Sequence, residues 1–220
     1  MFRAILVALM SFILVACAND DGYDPAHDYF SYANTDEFVA RHIALDLEVD
    51  FEAQTLRGGV VFNMRVLDDS ANSIILDTRD LSIESVVFFD ESEDTKVATF
   101  ELLETDPVMG TPLKIEIPDG IDRGAELVLR IDYSTSPTAS ALQWLPAELT
   151  AGGEHPMMFS QSQSIHARSW VPLQDTPSVR ITYEALIRTP PELLAVMSAN
   201  NDPLTPRKGE YQFDMPQPIP

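Results

Sequence analysis

The sequence predicts an all-β fold, an antiparallel sandwich or saddle-like set of curved sheets. Three observations carry this expectation. Apolar residues recur with a period of two from Ala40 onward. Pro, Gly, Asn and Asp punctuate the chain at short intervals between these runs. No amphipathic helix of convincing length interrupts them, with a turn or two over Ala141–Thr150 as the most helical stretch.

The elements follow in order. In "HIALDLEVDF" the residues Ile43, Leu45, Leu47, Val49 and Phe51 alternate with polar ones. Val60, Phe62, Met64 and Val66 repeat the pattern, so the two runs read as a hairpin with Gly58 and Gly59 near its return. "SIILDT", "SIESVVFF", "VATFELL" and "LKIEI" give further strands. In "ELVLRIDY" one face carries Leu127, Leu129, Ile131 and Tyr133. "VRITYEALI" alternates through Val179, Ile181, Tyr183, Ala185 and Ile187, and "ELLAVMSA" and "YQFDM" would close the sheet.

The first residues stand apart from this domain. "MFRAILVALMSFILVAC" has one early charge at Arg3, an apolar run and small residues before Cys17, the layout of a secretory signal peptide. The run is too short to span a bilayer comfortably. The ending "LVAC" resembles a bacterial lipobox, in which the cysteine becomes the lipidated N-terminus. Cys17 is the chain's one cysteine, so disulfide formation is not its purpose. The expected organisation is a signal peptide over 1–16, a lipidated Cys17 and acidic tether over 17–39, and a single β domain over 40–220. The expected location is the bacterial cell envelope, lipid-anchored at the periplasmic face of the outer membrane.

The chain has 220 residues and 45% apolar content, enough for a sizeable core. With 35 acidic against 14 basic residues, its formal charge is −21. Such a field repels phosphate backbones, which argues against nucleic acid as a partner. It suits either a strongly hydrated surface or ligands that bring positive charge, such as a peptide amino terminus.

The catalytic inventory is thin. The sequence has no H-E-x-x-H, G-x-S-x-G, phosphate loop or C-x-x-C. His27, His42, His155 and His166 lack the i, i+4 spacing of a helical zinc site and read as ordinary surface or core histidines. One stretch breaks the β pattern: "FSQSQSIHARSWVPLQDTPS", Phe159–Ser178, crowds amides, hydroxyls, a histidine and an arginine between strands.

Three segments give that stretch a context: "LDTRDLSIESV" (Leu76–Val86), "SPTASALQWL" (Ser136–Leu145) and "EHPMMFSQSQSIHARSWVPLQDTPSVRITYEA" (Glu154–Ala185). Together they resemble the amino-terminal domain of the M1 family of zinc aminopeptidases, in its leukotriene A4 hydrolase branch, over about Arg41–Pro220. The resemblance implies a saddle of antiparallel sheets packed over a thermolysin-like catalytic domain. It also implies that Gln161, Ser162 and Gln163 line the subsite for the substrate's first residue, and an amide suits this because it both donates and accepts without adding charge. Arg168, Pro172, Asp175 and Pro177 read as scaffold, with Arg168 paired to a nearby carboxylate and Phe159 anchoring the loop in the core.

The family's G-x-M-E-N and H-E-x-x-H motifs are not in this sequence, which ends at "PQPIP". The resemblance therefore implies zinc for the complete enzyme but no cofactor in this chain. It implies two partners, a peptide substrate and a catalytic zinc domain, the latter continuous with the chain or separately encoded. By itself the chain is expected to hydrolyse no aminoacyl substrate. The alternative is a non-catalytic β-sandwich lipoprotein that binds peptides or a protein at the envelope. An epoxide hydrolase is a weaker third reading.

Overall fold

The computed structural model describes residues 24, 27–89, 95–119, 126–202 and 204–220. The signal peptide and Cys17 lie outside the described residues.

Twelve strands make up the described domain: β1 (Phe38–Asp50), β2 (Thr55–Val66), β3 (Ser73–Thr78), β4 (Ser82–Phe89), β5 (Thr95–Val97), β6 (Phe100–Leu102), β7 (Thr111–Glu116), β8 (Glu126–Ser134), β9 (Leu142–Leu145), β10 (Met157–Ser160), β11 (Ile181–Arg188) and β12 (Glu210–Ile219). They form a seven-stranded sheet in the order β12-β11-β1-β2-β8-β4-β5, a three-stranded sheet β3-β7-β6 and a two-stranded ribbon β10-β9. The all-β expectation holds.

The alternation seen in the sequence selects the core face. Ile43, Leu45, Leu47 and Val49 from β1 meet Val60, Phe62 and Met64 from β2 and Leu127, Leu129, Ile131 and Tyr133 from β8. Ile74, Leu76, Leu113 and Ile115 bring the smaller sheet into the same core. Phe38 and Ala40 are also buried, although they are out of phase with Ile43. A bulge between Ala40 and His42 accounts for this, because one extra residue reverses the side-chain phase.

Four differences from the expectation have physical causes. The β1–β11 pair is parallel, with Ile43 opposite Tyr183, whereas the other strand pairs among the described residues are antiparallel. Parallel strands need a long crossover, and the polar stretch after β10 belongs to it. Gly58 and Gly59 lie inside β2 rather than at the return, which Asp50 closes by accepting from the N–H groups of Glu52 and Ala53 at 2.9 and 2.8 Å. A Cβ at Gly58 would stand 2.0 Å from the Asp46 carbonyl oxygen, so the glycine permits the close approach of β1. "VATFELL" divides into β5 and β6, which belong to different sheets. "ELLAVMSA" forms no strand; Ala195, Met197 and Ala199 pack on the core, and the Asn201 amide donates to the Met197 and Ala199 carbonyls at 2.7 and 2.6 Å. A side-chain amide there takes the place of a ladder partner.

The ordered domain also begins before Ala40. Ser31 Oγ and the Tyr32 N–H donate to the Asp77 carboxylate at 2.5 and 2.8 Å, and Asn34 bonds Ser73 and Ile75 of β3. The last part of the expected tether is therefore a strap across the smaller sheet.

Candidate functional site

The polar stretch begins where the β9–β10 ribbon ends. Across this ribbon Phe159 faces Gln143, Met158 faces Trp144 and Met157 faces Leu145. Period-two geometry sends Met158 toward the core and leaves Met157 and Phe159 on the outer face, 50% and 42% exposed. Phe159 is thus not the core anchor expected from the sequence. Met158 takes the inward place, and the exposed ring of Phe159 borders the loop.

Beyond Ser160 the chain folds into a tight polar tip. The Gln161 N–H donates to the Ala141 carbonyl at 2.8 Å, fastening the tip to the start of β9. The Gln163 N–H donates to Gln161 Oε1 at 3.0 Å, so the two glutamines are joined in one turn. Gln161 and Gln163 are exposed, while Ser162 between them is half-buried. Ser162 faces back into the loop, where its hydroxyl accepts from Trp170 Nε1 at 3.1 Å and its carbonyl accepts from the His166 N–H at 2.9 Å. The peptide bond from Gln163 to Ser164 is cis. The structure therefore brings the three expected residues together, with two amides outward and the serine in a supporting position.

A buried ionic network holds the loop from beneath. Arg168, in the short 3-10 turn Ala167–Ser169, is fully buried. Its Nε donates to Asp175 Oδ2 at 2.8 Å, Nη1 to the Met109 carbonyl at 2.7 Å, and Nη2 to the Phe30 and Asp175 carbonyls at 2.7 and 3.2 Å. Asp77 of β3 lies 3.6 Å from Nη1. The Asp77 carboxylate also accepts from Ser31, Tyr32 and the Asp175 N–H. Burial pushes the Asp77 carboxyl above its ordinary value, and Arg168 and these donors pull the other way. One arginine thus ties the amino-terminal strap, β3, the turn at Met109 and the polar loop together.

Two further fastenings were not apparent in the sequence. Buried Gln174 accepts from the Ala40 N–H at 2.8 Å and donates to the Phe38 carbonyl at 2.7 Å, locking the loop onto the bulged start of β1. Ser169 Oγ accepts from the Ala141 N–H at 3.0 Å and donates to the His166 carbonyl at 2.8 Å. Alternation carries no signal for either, because both serve a neighbour distant in sequence. A firmly bonded underside with two exposed amides on top, one of them also accepting from the Gln163 N–H, can bind and orient a polar ligand.

A zinc site does not fit the described residues, since no three His, Cys, Asp or Glu side chains among them converge to hold a metal. No helix among them is long and apolar enough to cross a membrane.

Residues 31–220 match the peptidase M1 N-terminal domain family. Leukotriene A-4 hydrolase of Xenopus laevis is 42% identical over 198 residues, covering 88% of this chain and 32% of the relative. Leucine aminopeptidase 2 of Pyricularia oryzae is 36% identical, with 89% and 32% covered. The chain thus spans about a third of the length of these relatives. Yeast LTA4 hydrolase, solved in complex with bestatin, superposes with a TM-score of 0.78 and 32% identity, covering 90% of this chain and 29% of that one. The M1 zinc metallopeptidase of Deinococcus radiodurans, solved with a Tyr-Ser-Ala substrate, shares the fold with a TM-score of 0.62 at 18% identity, over 84% and 40%.

Proposed function

The chain belongs to the peptidase M1 N-terminal domain family, and from that premise we propose that it is the substrate-cleft domain of a zinc-dependent aminopeptidase that removes N-terminal residues from peptides. The observation that carries the reading is the contrast within one loop. Arg168 is fully buried and multiply bonded, whereas Gln161 and Gln163 stand exposed above it. Fixing a segment this firmly while leaving its amides exposed is what a substrate-orienting wall requires. The amides would grip the substrate's first residue and its peptide group. The exposed Phe159–Met157 face would form the apolar flank of the cleft once a catalytic domain packs against it.

The chemistry assigned to this chain is binding and orientation. Zinc would be held by the catalytic domain, where its chemistry would be to polarise a carbonyl and activate water. The lipobox-like "LVAC" adds that the enzyme is tethered through Cys17 to the bacterial envelope, at the periplasmic face of the outer membrane.

The test is to purify the protein expressed from its native gene, determine its intact mass, and measure hydrolysis of aminoacyl-anilides with and without a chelator. Turnover that is lost on chelation and weakened by Gln161→Ala supports the reading. A protein of this domain's mass that neither turns over such substrates nor binds peptides sinks it.

A further inference from the structure

A second polar cluster lies against the same loop. His166 Nδ1 is 2.8 Å from Ser140 Oγ and 3.0 Å from Arg79 Nη1, and Arg79 Nη1 is 3.2 Å from Ser140 Oγ. A guanidinium has only donors. Nδ1 therefore presents a lone pair to Arg79, and the ring proton sits on Nε2. Ser140 completes the triangle by accepting from Arg79 and donating to Nδ1. Arg79 is fixed independently, since its N–H donates to the Arg168 carbonyl at 2.8 Å and its Nη2 bonds the Val108 carbonyl. The other cation close in sequence, Arg168, is committed to Asp175 and Asp77. Arg79 and Ser140 are the ring's polar partners among the described residues.

His166 is joined by its backbone to the tip, through the bond from its N–H to the Ser162 carbonyl. We propose that Arg79 and His166 form a positioning pair that sets the Gln161–Gln163 tip, and with it the affinity for peptide substrates, through the lone pair on His166 Nδ1. Removing that acceptor would break the contacts to Arg79 and Ser140 and leave His166 joined to the tip by its backbone alone. The affinity consequence rests on the substrate-cleft reading above; the loop consequence does not.

The informative comparison is His166→Ala against His166→Asn, because the asparagine Oδ1 stands at the same bond distance from the backbone as Nδ1 and keeps an acceptor for Arg79 that alanine removes. Trp170, bonded to Ser162, reports on the tip by its emission. Trp144→Phe in every protein removes the other tryptophan of this sequence, and the difference from the parent protein cancels any tryptophan outside it. The expected result is a shifted emission in His166→Ala and the parent emission in His166→Asn. KM for an aminoacyl substrate should rise about fivefold or more in His166→Ala with kcat unchanged, and His166→Asn should restore it. Superimposable emission for the parent and His166→Ala, or no restoration by His166→Asn, overturns the pair. A shifted emission with equal KM overturns its link to affinity. Absence of hydrolysis by the protein expressed from its native gene would sink the substrate-cleft reading and leave the emission arm to decide on the pair.

Discussion

The Nε of Arg168 lies 2.8 Å from Oδ2 of Asp175, seven residues further along the same loop. The arginine is wholly buried and the aspartate side chain nearly so, at 0% and 11% exposure. Screening by water is therefore weak, and each charge depends on the other. The pair closes the loop on itself, and Asp77 ties the closed loop to β3 and the strap.

Arg168→Met should destabilise the protein by about 3–5 kcal/mol, because it strands two buried carboxylates and three carbonyls. Arg168→Lys should fall between, since an ammonium keeps the charge but not the planar fork. Urea unfolding measures both. A loss below about 1 kcal/mol for the methionine variant would contradict the clamp.

Asp77 gives the clamp a pH signature. Its folded pKa stands above the ordinary 3.8 because burial outweighs Arg168 and the hydrogen-bond donors. The folded state then holds more protons than the unfolded chain over the interval upward from 3.8. The stability from this group is fully present below that value and is lost as pH rises through the raised pKa. Relative to Asp77→Asn, the wild type should lose stability as pH increases across this interval. Paired thermal melts against pH would record the opposite slope if the carboxyl were depressed.

Phe159→Ala should change stability by less than about 1 kcal/mol, because the ring is 42% exposed on the ribbon's outer face. Phe88→Ala, at 0% exposure in β4, should cost about 3–5 kcal/mol. Denaturant midpoints for the two variants test the assignment of inward and outward faces. Equal losses would contradict it.

How far these features could be read beforehand differs by residue. Leu127, Leu129, Ile131 and Tyr133 alternate cleanly with polar residues, so one face of β8 is fixed by its own pattern. "MMF" offers no such contrast, since three apolar residues in succession permit either phase, so the outward position of Phe159 is not legible there. The polar loop stood out because it breaks the alternation, and Arg168 could be expected to need a carboxylate. That Asp77 would be shared, and that Gln174 would lock β1, depends on neighbours far along the chain. The parallel β1–β11 pair escapes local patterns likewise, because alternation identifies a strand but not its neighbour.

Cys17→Ser should release the protein from the membrane fraction and block precursor processing. Each buried methylene of an acyl chain contributes about 0.8 kcal/mol, so several chains anchor a domain without a spanning helix. Fractionation with anti-tag detection decides it. Unchanged membrane association and processing would sink the anchor.

Gln161→Ala and Gln163→Ala bear on the site itself. Both side chains are exposed, on a loop held by Arg168, Ser169 and Gln174 rather than by the glutamines. Truncating either should leave the melting temperature nearly unchanged, although Gln161→Ala also removes the acceptor for the Gln163 N–H. That N–H is exposed and water can take it, so the expected stability loss is below about 1 kcal/mol. Against a bound peptide the balance differs. An amide that loses its partner in a water-excluded cleft costs about 1–3 kcal/mol, roughly a tenfold to hundredfold loss of catalytic efficiency. Gln161→Ala should show the larger loss, because it removes a contact and also releases the tip that carries Gln163. Steady-state kinetics on aminoacyl substrates with several first residues, paired with thermal melts, separates the two roles. Wild-type efficiency in both variants across those substrates would mean that the loop carries structure alone.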